Sequence, residues 1–164
     1  MKKIIALALL ALTSPLTAHA ATLTFPGDKP VASITIPDSW KPEETDGGVQ
    51  GTSADSAVYL SAEVASDKSM EKVVTGAIDF LAKNKVTIDP STQKETPATD
   101  VNGMQMATLE WDGKDEDGPV SVGLLIVQVS ADNALVVTYW GDKGEEDKHD
   151  AEVKAIVASI KPAE

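Results

Sequence analysis

Asn102-Gly103 sits between a short strand-like stretch, Thr99–Val101, and a longer one, Met104–Trp111. This dipeptide constrains the fold more than any other feature of the chain. A two-residue connection of this type needs φ > 0, which Asn and Gly tolerate, and it makes its flanking strands antiparallel neighbours. Other segments extend the same arrangement. Ala57–Val64 alternates, with Val58, Leu60, Ala62 and Val64 on one face and Tyr59, Ser61 and Glu63 on the other. Pro119–Val129 and Ala134–Trp140 are apolar on both faces for part of their length, which predicts central strands joined at Asp132-Asn133. Val31–Ile36 is predicted to hairpin with Thr22–Phe25 around Pro26-Gly27-Asp28, and Asp89–Asp100, rich in Pro, Ser and Thr, reads as the longest loop.

Two segments switch from alternation to helical spacing. In Ser69–Lys85 the apolar side chains Met70, Val73, Val74, Ala77, Ile78 and Leu81 recur 3 and 4 apart and form one stripe, with Ser69 as N-cap. Val74, Ile78 and Leu81 are expected to press onto the sheet. A second helix, over about Asp147–Lys161, repeats the pattern with Val153, Ile156, Val157 and Ile160 and is stopped by Pro162. The expected fold class is α+β: an antiparallel sheet of six to eight strands covered by two amphipathic helices.

The first twenty residues are an address. Lys2 and Lys3 precede an apolar run from Ile4 to Leu12, Pro15 breaks it, and Ala18-His19-Ala20 is the small-x-small pattern that signal peptidase reads. The run is short of the roughly 20 residues that span a bilayer. Residues 1–20 are therefore expected to be a signal peptide, and residues 21–164 one domain, exported to the periplasm and without a cysteine for lipid attachment. Its 144 of the 164 residues suffice for a core without disulfides. With Lys2 and Lys3 removed from the 14 basic residues, twelve lysines and no arginine face 26 carboxylates, a net charge of −14. Such a surface repels nucleic acid and anionic lipid, and lysine clamps phosphate poorly where arginine is absent. With no thiol and one histidine, His149, left in the mature chain, cysteine nucleophiles, thiolate metal sites and multi-histidine centres are excluded. No cofactor and no membrane insertion are expected.

Three groups of residues invite a functional reading. Asp112, Asp115, Glu116 and Asp117 precede Gly118, but an EF-hand aligned on that glycine would have Gly113 and Leu124 at its first and twelfth positions, so a solvated hairpin loop is expected and no metal site. His149, among Glu145, Glu146, Asp147 and Asp150, is expected on the solvent side of a first helical turn. Trp40, Tyr139 and Trp140 lie at strand ends, where they would flank a groove for a ligand or partner if they shared a rim; otherwise core packing accounts for most of the aromatics.

Ile34-Thr35-Ile36-Pro37-Asp38-Ser39-Trp40 resembles the opening of PsbP-like domains, a strand closed by Pro with Trp three positions on. The Asn102-Gly103 hairpin, the Tyr139-Trp140-Gly141 strand end and a closing helix with Ser159-Ile160 occur there in similar order, so the resemblance spans about Thr22–Lys161. It implies an α-β-α sandwich. Because members of that fold act mainly as binding or assembly partners of larger complexes, a Ran-GTPase-binding import factor among them, it also implies a non-enzymatic module with an envelope protein as partner. It assigns no functional residue. A binder of a small ligand or of weakly held cations is the alternative, and a hydrolase working through carboxylates the least favoured. A deep pocket with converging carboxylates would speak for the last, and a closed surface with one apolar patch for the first.

Overall fold

The computed structural model describes residues 19–163. The expected signal peptide lies outside the described residues except for His19 and Ala20. Strands β1 (Ala20–Phe25) and β2 (Ala32–Pro37) form the predicted hairpin, and β11 (Lys161–Pro162) pairs with the other edge of β2 to complete a three-stranded sheet. The main sheet contains β3 (Glu43–Glu44), β4 (Gly48–Thr52), β5 (Val58–Ser66), β6 (Thr87–Ile88), β7 (Lys94–Val101), β8 (Met104–Lys114), β9 (Pro119–Gln128) and β10 (Asn133–Asp142). Its order is β3-β4-β5-β10-β9-β8-β6, with β7 also pairing with β8, and every pair is antiparallel. The two helices are α1 (Met70–Lys83) and α2 (Asp150–Ala158).

Alternation along the central strands decides which helix covers which face. Successive strand residues point to opposite sides. Leu135, Val137 and Tyr139 of β10 join a core with Ile156, Val157 and Ile160 and with Ile34 and Ile36 of β2. Val136 joins Ala77 of α1, and Val120 and Val122 join Leu81. The molecule is thus three layers deep, with α1 on one face of the large sheet and α2 with the small sheet on the other. β9 and β10 serve both cores at once, which is why they are apolar on both faces.

Several boundaries differ from expectation. Asp89–Asp100 is not a loop: a 3₁₀ turn over Pro90–Thr92 leads into β7, an edge strand whose first seven residues are exposed. Because nothing covers it, it carries no apolar alternation to detect. Pro97, which has no N–H for a ladder, falls where the pairing register shifts between Thr96 and Thr99. The short strands β3, β4, β6 and β11 are additions to the predicted set. The second helix is shorter than Asp147–Lys161: Glu146–Lys148 is a separate 3₁₀ turn, and Lys161–Pro162 is strand.

Ile78 corrects the predicted stripe of the first helix. It is 50% exposed, whereas Leu81 is 2% exposed. At 100° per residue Ile78 lies roughly 80° around the cylinder from Met70, and Phe80 lies about as far around on the other side. The helix rolls toward Phe80, whose ring rests on Tyr59 (centroids 5.4 Å apart) and Trp140 (6.1 Å). One large aromatic contact on that side outweighs the burial of Ile78 on this one. Ser69 precedes the helix as predicted, but its hydroxyl turns back to accept from the Ser66 N–H at 2.9 Å and caps no helical N–H.

Candidate functional site

β10 places Tyr139 and Trp140 on opposite faces of the sheet. Trp140 stacks on Tyr59 at 4.3 Å beneath α1, and Trp111 lies two strands away on the same face, both tryptophans standing opposite Val122 in the register. Trp40 is 1% exposed, in a 3₁₀ turn (Asp38–Trp40) that follows β2. Trp40, Tyr139 and Trp140, which would flank a groove if they shared a rim, do not share one. Trp40 is core, Trp140 belongs to the α1 face, and Tyr139 alone lines a cavity.

That cavity, of about 580 Å³, lies between α2 and the sheet. Its walls are apolar: Val58, Met106 and Leu125 from the sheet, Val101 from β7, and Val153 and Val157 from α2. Two glycines shape its polar end. Gly123 stands directly opposite Tyr139 in the register and opposite Glu110 on its other side. A Cβ at Gly123 would sit 2.1 Å from the Tyr139 ring, so the ring lies across the strand where that atom is missing. Spanning β9 in this way, the Tyr139 hydroxyl donates to Glu110 Oε1 at 3.1 Å. Burial, with the Glu110 carboxylate beside it, pushes the Tyr139 phenol far above its usual range and keeps it a neutral donor.

Gly141 does the same for Glu146. A Cβ there would meet the Glu146 Cβ at 2.9 Å, so the turn after β10 folds tightly onto the sheet. Glu146 Oε1 accepts from the Ser121 hydroxyl at 2.8 Å, and Oε2 is buried without a hydrogen-bond partner among the described residues. Asp150 and Lys154, also at the cavity, pair at 2.9 Å on the exposed side of α2.

α2 is pinned at both ends above this space. At its C-terminus the Asn102 amide of the β7–β8 turn donates to the carbonyls of Ala158 (2.8 Å) and Ile160 (2.9 Å), and the Ser159 hydroxyl accepts from the Thr35 N–H at 2.8 Å. At its N-terminus His149 corrects a second expectation. Its side chain is 13% exposed, not solvent-facing. Nδ1 meets Glu152 at 2.7 Å and Nε2 meets Asp55 at 3.0 Å, with the ring edge-on to Trp40 at 5.8 Å. The Trp40 indole N–H donates to the same Glu152 oxygen at 3.2 Å. The hydrogen bonds to Glu152 and Asp55 raise the His149 pKa above its ordinary value, while those from Ser53 and His149 hold Asp55 well below the carboxylate range.

The acidic hairpin forms the tip between β8 and β9. Asp115 closes the turn, accepting from the N–H groups of Asp117 (2.9 Å) and Gly118 (3.0 Å), while Asp112 and Glu116 pair with Lys143 and Lys85. Glu110, Ser121 and Glu146 were not marked by any motif. The signal that locates them is a glycine interrupting an otherwise apolar central strand, at 123 and at 141, since a missing side chain there implies that another group comes close.

No protein-family model and no curated protein matches the chain at the sequence level. Solved structures do match it in fold. The solution structure of cyanobacterial PsbP (CyanoP) from Synechocystis sp. PCC 6803 superposes with a TM-score of 0.59 at 11% identity, covering 94% of this chain and 99% of that one. LpqN of Mycobacterium tuberculosis, described as involved in cell envelope biogenesis, gives 0.55 at 14% identity over 89% of this chain and 92% of its own. A protein from Bacteroides thetaiotaomicron VPI-5482 gives 0.58 at 12% identity over 87% of this chain, which spans 48% of that larger one. These likenesses define an α-β-α sandwich. The fold is PsbP-like.

Proposed function

We propose that this protein is a non-catalytic binding module whose site is the cavity beneath α2, and that its ligand is a small molecule with an apolar body. The observation that carries this reading is the cavity itself: about 580 Å³ of largely apolar space with its polar groups gathered at one end. Surface features favour it over docking of a protein partner, because Ile78 is the one large hydrophobic side chain standing exposed among the described residues, and a single residue does not make a docking patch. The cavity does gather Glu110 and Glu146 at one end, as a carboxylate-based hydrolase would need, but that reading gains less support. Glu110 and Glu146 each already commit an oxygen to a neighbouring hydroxyl, and His149 is held by Glu152 and Asp55 outside the cavity. The leader-like segment over residues 1–20 supports placing the mature protein, residues 21–164, in the periplasm. None of the described helices is long and apolar enough to cross a membrane.

Calorimetric titration with 1-octanol tests the reading. Saturable binding to the wild type is expected. It should be lost in Thr108→Trp, which fills the cavity from β8 with a side chain suited to a strand. Equal affinity of the two proteins, or no binding to either, would remove the cavity from consideration.

A further inference from the structure

The chemistry at the polar end of the cavity goes further and specifies a headgroup. Three carboxylates line the space, Glu110, Glu146 and Asp150, against one lysine, Lys154. The Tyr139 and Ser121 hydroxyls beside them are already engaged, and the Lys154 side chain is 76% exposed to solvent. Tyr139 donates to Glu110, Ser121 to Glu146, and Lys154 to Asp150. The Thr108 hydroxyl, also at the cavity, can accept as readily as donate. What remains is acceptor capacity, most plainly at Glu146 Oε2, which is buried and unpartnered among the described residues. A buried carboxylate oxygen without a donor is costly, and native structures supply one from protein, solvent or ligand.

We infer that the ligand is a small aliphatic amine in its protonated form, its hydrocarbon body against Val58, Met106, Leu125, Val153 and Val157 and its ammonium group donating to Glu146 and Glu110. This rests on the cavity being the binding site, as proposed above. An ammonium carries three donors and no acceptor, which complements a site rich in acceptors. An alcohol has one donor and no charge. A carboxylate would meet charges of its own sign at the half-buried Glu110 and Glu146, while Asp150 is already paired with Lys154. The mature net charge of −14 adds an attractive field for any cation, so surface attraction has to be separated from occupancy of the cavity.

The test holds the hydrocarbon constant and varies the head. Octylamine, 1-octanol and octanoate are titrated at about 0.15 M salt, where exposed charges are screened beyond about 8 Å. Octylamine should bind about tenfold or more tighter than 1-octanol, and octanoate weakest, in keeping with charge-assisted hydrogen bonds. Glu146→Gln should narrow the gap between amine and alcohol while leaving alcohol binding in place. Thr108→Trp, which keeps every surface carboxylate, should lose octylamine binding. Alcohol or octanoate binding as tightly as the amine would overturn the headgroup assignment and leave the cavity reading intact. Octylamine binding undiminished in Thr108→Trp would overturn it too, as surface attraction. If 1-octanol does not bind the wild type, the cavity reading itself fails. Nα-acetyl-lysine methylamide separates a free amine from the lysine of a partner chain. It should bind more weakly than octylamine, and equal affinity would overturn the small-molecule assignment.

Discussion

Gly123 and Tyr139 form one unit. The ring occupies the place of the missing Cβ, and the hydroxyl reaches Glu110 only because no side chain stands between the two strands. Gly123→Ala brings a methyl group to 2.1 Å from ring carbon. The ring must then lift, leaving Glu110 without its donor. The expected cost is about 1–3 kcal/mol in urea melts, the range for overpacking a filled site, together with a changed near-ultraviolet signal from Tyr139. An unchanged midpoint and spectrum would show that the ring does not depend on the glycine. Tyr139 illustrates what a residue pattern conveys and what it omits. Its position at a strand end marked it as a candidate, but its partner Glu110 is 29 positions away in sequence and is reached across a strand, through pairing that no local pattern records. Grouping it with Trp140 failed for a simpler reason, since adjacent strand residues point to opposite faces. Trp40 carries the sequence signature of a strand-end aromatic, yet the burial that decides its role comes from β2, α2 and Gly51, whose absent Cβ would stand 3.3 Å from the Trp40 carbonyl oxygen.

α2 is a nine-residue element with its two ends tied to different parts of the fold. Helices this short gain little from propensity and depend on tertiary contacts. Asn102 and Ser159 hold its C-terminal end, and His149 joins its N-terminal end to Asp55 and Trp40. The His149 pKa is raised above 6.5 on folding, so this contact stabilises fully below 6.5 and is lost as pH rises through the higher folded value. Asp55 shifts the other way; its contribution is present above its unfolded value of 3.8 and fades as pH falls below that. The melting temperature is therefore expected to drop as pH rises above 6.5, and His149→Gln should flatten that slope. Parallel slopes in variant and wild type would exclude His149 as the titrating group. Elements were legible wherever burial imposes a period: β5 and β10 by alternation or double-sided apolarity, α1 by its stripe. β7 was not, because an exposed edge strand has no buried face, and the two-residue strands β3, β6 and β11 are too short to show a period. Ile78 was misplaced because a stripe fixes a helix face only to within the roll that a neighbouring aromatic can impose.

The three layers create two unlike faces on one sheet. Beneath α1 the aromatics Tyr59, Phe80 and Trp140 stack on one another, while beneath α2 the sheet leaves space. A net charge of −14 over residues 21–164 would repel nucleic acid and anionic lipid. Export fits the same picture, and it predicts that protein recovered from the native host begins at Ala21 by intact mass; a mass that includes residues 1–20 would contradict it. Cleavage there would remove Ala20, which pairs with Pro37, and His19, whose carbonyl accepts from the Asp38 N–H at 2.9 Å. The first strand would then start at the Ala21–Ile36 pair. The position of the ligand is what separates the two faces. Amide chemical shifts recorded during titration with 1-octanol should move along α2 and at cavity-lining positions of β8, β9 and β10, with Met106, Leu125 and Val153 among them. Shifts gathered instead around Ile78, Phe80 and Trp140, or none at saturation, would contradict a binding site beneath α2.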